Sequence, residues 1–127
     1  MPNPAPGFEK RPQHTVEIAP APGQLTVSFA GTELARSSAV LALAEASYPL
    51  VYYIPLADVD AAAIQPSDTS TYCPFKGYAS YFHVSVNNES KLTDAIWTYR
   101  PPYDECLAIK DYVAFYTDKL TVAYEAT

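Results

Sequence analysis

The sequence predicts a mostly β protein of antiparallel strands, arranged as a closed or partly closed barrel or as two crossing sheets. Three observations carry that reading. Short segments alternating apolar and polar residues recur along the chain. Turn residues interrupt them every several positions, and only Pro102 to Lys110 carries helix signals at both ends. At 127 residues, 49% apolar and 17% charged, the chain is long enough to bury a core without staples. The expected organisation is a proline-rich N-terminal arm over residues 1–23 and a single β domain over residues 24–127.

Prolines at positions 2, 4, 6, 12, 20 and 22 fix φ and remove donors, so the arm should be extended. Within it His14, Val16 and Ile18 alternate with Thr15 and Glu17, as a short edge strand would before Pro20 stops it. The default reading of His14 is a surface side chain. Leu25, Val27 and Phe29 mark a half-buried strand, and Ala30-Gly31 turns it into Thr32 to Ser37, a first hairpin. Ser38 to Ala46 fits a helix or a strand, and its flanks favour the strand. Leu50 to Ile54, β-branched and aromatic between two prolines, is a short closed strand.

Leu56 to Val59 reads as one helical turn and Ala61 to Gln65 as a weak strand, with Pro66-Ser67-Asp68 as a turn cluster. Tyr78 to Val86 follows, its Phe82, Val84 and Val86 on one face and Ala79, Tyr81, His83 and Ser85 on the other. Asn87-Asn88 is a turn. Lys91 to Tyr99 returns with Ala95, Trp97 and Tyr99 on one side, and Arg100-Pro101-Pro102 ends it. Pro102 to Lys110 is the best helix, with Asp104 and Glu105 in its first turn and Lys110 in its last. Asp111 to Tyr116 and Leu120 to Tyr124 are the last strands, joined by Thr117-Asp118-Lys119.

Composition excludes several function classes. A formal charge of −6, with 8 basic residues against 14 scattered acids, gives no basic patch for nucleic acid. No apolar run is long enough for a membrane-spanning helix, and Met1 to Gly7 lacks the charge and apolar core of a secretory signal. Two cysteines, Cys73 and Cys106, are too few for a disulfide framework and lack the short paired spacings of structural zinc. The expectation is a cytoplasmic protein with free thiols, no metal and no cofactor.

The densest chemistry lies in Thr71-Tyr72-Cys73-Pro74-Phe75-Lys76-Gly77 and the following Tyr78-Ala79-Ser80-Tyr81-Phe82-His83. Pro74 and Gly77 predict a tight corner that aims Cys73 and Lys76 into one small volume. These residues, with Ala95, Trp97, Tyr99 and Ile109 to Tyr116, resemble a bacterial family of unknown function, domain of unknown function 427, sometimes labelled nucleotidyltransferase-like. The resemblance runs from about Leu25 to Tyr124 and includes Val51 to Pro55. No acidic triplet, phosphate-cradling glycine loop or Walker-type run supports nucleotidyl transfer, and that label is set aside. The resemblance implies the Mss4-like (β-tent) pairing of antiparallel sheets shared by Mss4-type zinc proteins, methionine-R-sulfoxide reductases and the ligand-binding domain of cereblon. It implies an aromatic working cleft between the sheets. The paired Cys-x-x-Cys knuckles of the zinc proteins are missing here.

Three functions follow as expectations. The first is a small-ligand or modified-peptide binding domain lined by Tyr81, Trp97, Tyr99 and Tyr112, with Lys76 and His83 as polar anchors. The second is an enzyme using Cys73 as nucleophile or redox thiol, Lys76 as activator and His83 as acid-base partner, with Cys106 as the one candidate resolving thiol. A structural or partner-binding module, using the arm and surface tyrosines, is the third, and a homodimer is compatible with it.

Overall fold

Alternation and turn chemistry produce ten strands in the computed structural model, which describes residues 2–87 and 90–127. They are β1 (Val16–Pro20), β2 (Gly23–Phe29), β3 (Thr32–Ser37), β4 (Leu41–Glu45), β5 (Val51–Pro55), β6 (Ile64–Cys73), β7 (Gly77–Val86), β8 (Ser90–Tyr99), β9 (Tyr112–Phe115) and β10 (Thr121–Ala126). A seven-stranded sheet runs β1-β4-β5-β9-β8-β7-β6, and a three-stranded sheet runs β10-β2-β3. Every pairing is antiparallel. Both sheets keep free edges, so two sheets rather than a closed barrel form the fold. Among the described residues no helix is long and apolar enough to cross a membrane.

Ala30 (φ 52°) and Gly31 (φ 78°) are both left-handed, the geometry a two-residue hairpin needs to match strand twist, and Phe29 faces Thr32 across the turn. Ser38 to Ala46 resolves in favour of a strand, β4. The edge strand in the arm forms, with Pro20 as its last residue opposite Leu41. Of the Asn87-Asn88 turn, Asn87 adopts φ 55° and Asn88 lies outside the described residues.

Three segments differ from expectation. Ala61–Ala63 forms a 3₁₀ turn, started by the Asp60 carboxylate accepting from the Ala62 N–H, and the strand expected from Ala61 begins only at Ile64. Pro66-Ser67-Asp68 does not end a strand but sits inside β6, where four steps from Pro66 to Ser70 oppose two from Phe82 to Ser80. The turn chemistry is spent on a bulge. Pro102 to Lys110 contains no α-helix; Asp104–Ile109 forms 3₁₀ turns with a break at Cys106 (φ −121°). Cys106 and Ile109 are both fully buried, and short turns on either side of the break bring both into the second cluster, which one continuous α-helix would not. A helical turn at Gly7–Lys10 was not foreseen.

Burial divides the core in two. Leu25, Val27, Leu34, Ile54, Val84, Ile96 and Val113 belong to the cluster between the sheets. On the opposite face of the larger sheet, Leu43, Tyr53, Ala79, Tyr99, Cys106, Ile109 and Ala114 form a second cluster, which Val16, Ile18, Cys73, Tyr81 and Trp97 extend. The N-terminal segment is strapped over this second face. The Asn3 N–H donates to Asp104 Oδ2 at 2.8 Å and its carbonyl accepts from the Asp104 N–H at 2.9 Å, the Ala5 N–H donates to Glu105 Oε1 at 2.8 Å, and the Gly7 N–H donates to the Pro74 carbonyl at 3.0 Å. A Cβ on Gly7 would stand 2.7 Å from the Phe75 ring, so only glycine allows that approach.

Candidate functional site

The corner forms as a three-residue connection: Cys73 faces Gly77 across the ladder, the Lys76 N–H donates to the Cys73 carbonyl at 3.3 Å, and Gly77 takes φ 121°. Phe75 is buried and turns toward the arm. Its ring stacks on His14 at 3.8 Å between centroids and meets Phe8 edge-on at 5.0 Å. Lys76 is thereby left pointing along the second face of the sheet.

There the Lys76 ammonium pairs with Glu45, the last residue of β4, and the other Glu45 oxygen meets His14 Nε2 at 2.8 Å. The side chains of Lys76, Glu45 and His14 are only 12%, 15% and 16% exposed. Burial alone would raise the Glu45 carboxyl, but hydrogen bonds from Lys76 and His14, with their charges, outweigh it and hold the group below its ordinary value of 4.5. The arm, β4 and the corner meet in this one triad.

Beside it opens a cleft of about 200 Å³ lined by Leu43, Val51, Tyr53, Lys76, Tyr81, Trp97, Tyr99 and Tyr116. Lys76 Nζ stands 6.0 Å from the centre of the Tyr99 ring, within reach of a cation–π contact. Trp97 and Tyr116 lie 4.6 Å apart, and Tyr53 meets Trp97 edge-on at 6.4 Å. Burial pushes the Tyr53 and Tyr99 phenols far above their ordinary range, and Tyr116 rises to about 12 through burial and its bond to Tyr81. These hydroxyls therefore stay protonated and serve the cleft as neutral donors and acceptors. The Tyr81 hydroxyl also bonds Thr71 at 2.8 Å.

Trp97 Nε1 donates to the Tyr53 hydroxyl at 3.2 Å, which fixes the indole against the floor of the cleft. Tyr53→Phe should cost about 1 kcal/mol of stability by leaving that N–H without its acceptor. It should also shift the emission of Trp97, the single tryptophan; an unchanged spectrum would mean the bond does not hold the ring.

The structure thus gathers Lys76, Tyr81, Trp97 and Tyr99 around one space. Cys73 packs half-buried against the second cluster without lining that space, and Tyr112, half-buried, packs there too. Cys73 and Cys106 are both free thiols. Cys106 is fully buried, burial pushes its thiol up to about 11, and its S–H reaches the Phe75 carbonyl at 3.6 Å. Arg100 lies over the Phe82 ring at 5.5 Å from its centre.

His83 stands apart, at a second irregularity. Four steps of β8 from Ile96 to Leu92 oppose two of β7 from Phe82 to Val84, and Asp94 within this bulge takes φ 50°. The Asp94 N–H donates to His83 Nδ1 at 3.1 Å, which leaves Nε2 to carry the proton of the neutral ring. Hydrogen bonds from Ser67 and Thr69 hold the Asp94 carboxyl below its ordinary value. The bulge also moves Ala95 off the face of Trp97 and Tyr99 into the cluster between the sheets.

Sequence reasoning missed Glu45, His14 and Tyr53 as members of the site. Glu45 had a signal, as the lone charge in the apolar run Leu41 to Ala46. The aromatic cleft also lies on the outer face of the larger sheet, not between the sheets as the resemblance implied. Among the described residues no group of three or more His, Cys, Asp or Glu side chains is placed to hold a metal ion.

The model of a family described as a domain of unknown function (DUF427) matches residues 17–126, most of the chain, and the chain belongs to that family. No curated protein matches it.

Proposed function

For this member of a family without an assigned activity, we propose a binding domain for a small planar ligand that carries a carboxylate. The ligand stacks on Tyr81, Trp97 and Tyr99, and its acceptor oxygens meet Lys76. The observation that carries this reading is the position of a single ammonium, held by Glu45, which His14 braces in turn, in a cleft otherwise lined by aromatic rings and by Leu43 and Val51. Glu45 uses one ammonium proton, and the others remain as donors for a ligand. The half-buried rings of Tyr81 and Trp97 supply stacking area at little entropic cost, because each has only two side-chain torsions to fix.

Trp97 reports occupancy directly. Titration with benzoate, salicylate and nicotinate should give a saturable change in its fluorescence, weakened at least about tenfold by Lys76→Met, the loss expected for one charge-assisted bond. Absence of any saturable response at millimolar concentrations, with the protein folded, would remove the proposal.

A further inference from the structure

The cleft does not end at Trp97. Val51, Trp97 and Tyr116 also line a wider groove of about 770 Å³ that runs past Tyr48, Leu50, Tyr52 and Phe115 toward Asp118, with Glu45 at its near end. Sites for small organic molecules usually measure about 300–1,000 Å³. At about 200 Å³ the cleft alone holds a head group, whereas the groove has room for the rest of a molecule. Tyr48 and Leu50, among the most exposed large apolar side chains at 67% and 55%, stand side by side along it. Adjacent exposed apolar groups, unlike scattered ones, mark a surface that another apolar body covers.

Burial decides which way that body lies. The Lys76 side chain is only 12% exposed and keeps N–H donors beyond the one Glu45 takes, whereas Asp118 and Lys119, whose ammonium stands 5.3 Å from the Tyr116 ring centre, are both exposed, opposite in charge and screened by water. From this we infer that the site takes a monocarboxylate with an extended uncharged tail, its head at Lys76 and its alkyl or aryl chain along Tyr48 to Tyr52. The inference rests on the cleft being a ligand site, and it adds the ligand's length, polarity and direction.

Calorimetric titration of the full chain with benzoate, hexanoate, octanoate and decanoate tests it. Each methylene added beyond hexanoate should tighten binding roughly fourfold, the value of burying one methylene. Leu50→Glu, and Leu50→Ser as a milder second variant, should flatten that series and weaken decanoate far more than benzoate. Leu107→Glu, at an exposed apolar residue outside the groove lining, should leave the series as it is. A flat series in the unaltered protein, with benzoate still bound, overturns the tail site and leaves the cleft reading standing. Failure of benzoate and every fatty acid to bind removes both. A rising series indifferent to both Leu50 variants places the chain elsewhere and overturns the inference. So does a dimer in sedimentation that either Leu50 variant dissociates, because a second copy would then cover the groove.

Discussion

Glu45→Gln should destabilise the fold by about 3 kcal/mol in urea unfolding, and adding Lys76→Met to that background should recover most of the loss. The single change leaves a mostly buried ammonium beside Tyr99 without its counter-charge, and it leaves one amide oxygen where two carboxylate oxygens met Lys76 and His14. Breaking one side of a buried pair costs about 3–5 kcal/mol because the remaining charge stays desolvated. The lower end applies here, since each partner keeps some contact with water. Removing the ammonium as well ends that penalty, which is why the double variant should be the more stable of the two. If the two substitutions prove additive, the pair does not couple β4 to the corner.

Acid repeats the experiment without mutation. The native Glu45 carboxyl titrates below its ordinary 4.5, so its contribution is complete above that value and is lost as pH falls through the lowered native one. Part of the acid-induced loss of stability should therefore be missing in Glu45→Gln. An identical acid limb in both proteins would assign that loss to other carboxylates.

How much of this could be read from the chain depended on whether the cause was local. The Ala30-Gly31 hairpin, the proline-bounded β5 and the corner at Gly77 were legible because the residues that set φ are the ones that turn. The bulges were not. Ala95, Trp97 and Tyr99 alternate as one face of a regular strand, and only pairing with β7 shows that the chain gains two residues around Asp94 and turns Ala95 to the other side. His83 was grouped with Tyr81 on the same assumption of period two, yet it meets the bulge and does not line the cleft. The triad was hidden for a different reason. Its members are separated by 31 positions on either side of Glu45, and periodicity carries no information about which loop an arm will cross. Lys76 was found because it sits in the corner, and the rings because they lie on strands that the turns predict to pair; Glu45 and His14 reach the site only through the fold.

The last expected result separates the fold from the site at two adjacent residues of β5. Ile54→Ala should cost about 4 kcal/mol, whereas Tyr53→Phe, its neighbour, should cost about a quarter of that. Ile54 has no exposed surface, lies opposite Val113 in the ladder and belongs to the cluster between the two sheets. Isoleucine-to-alanine changes cost about 2–5 kcal/mol, more where the walls cannot close on the cavity. Two hydrogen-bonded sheets are such walls, which places the value in the upper part of that range. Tyr53, one residue earlier, faces the other way and holds Trp97 in the cleft. Ile54→Ala, measured where it remains folded, should thus bind benzoate as the unaltered protein does, while Tyr53→Phe changes binding at little cost in stability. A loss below about 1 kcal/mol for Ile54→Ala would mean that the sheets close over the cavity. Weakened benzoate binding in a folded Ile54→Ala protein would mean that the two faces of β5 are not independent, and that the site depends on the core behind it.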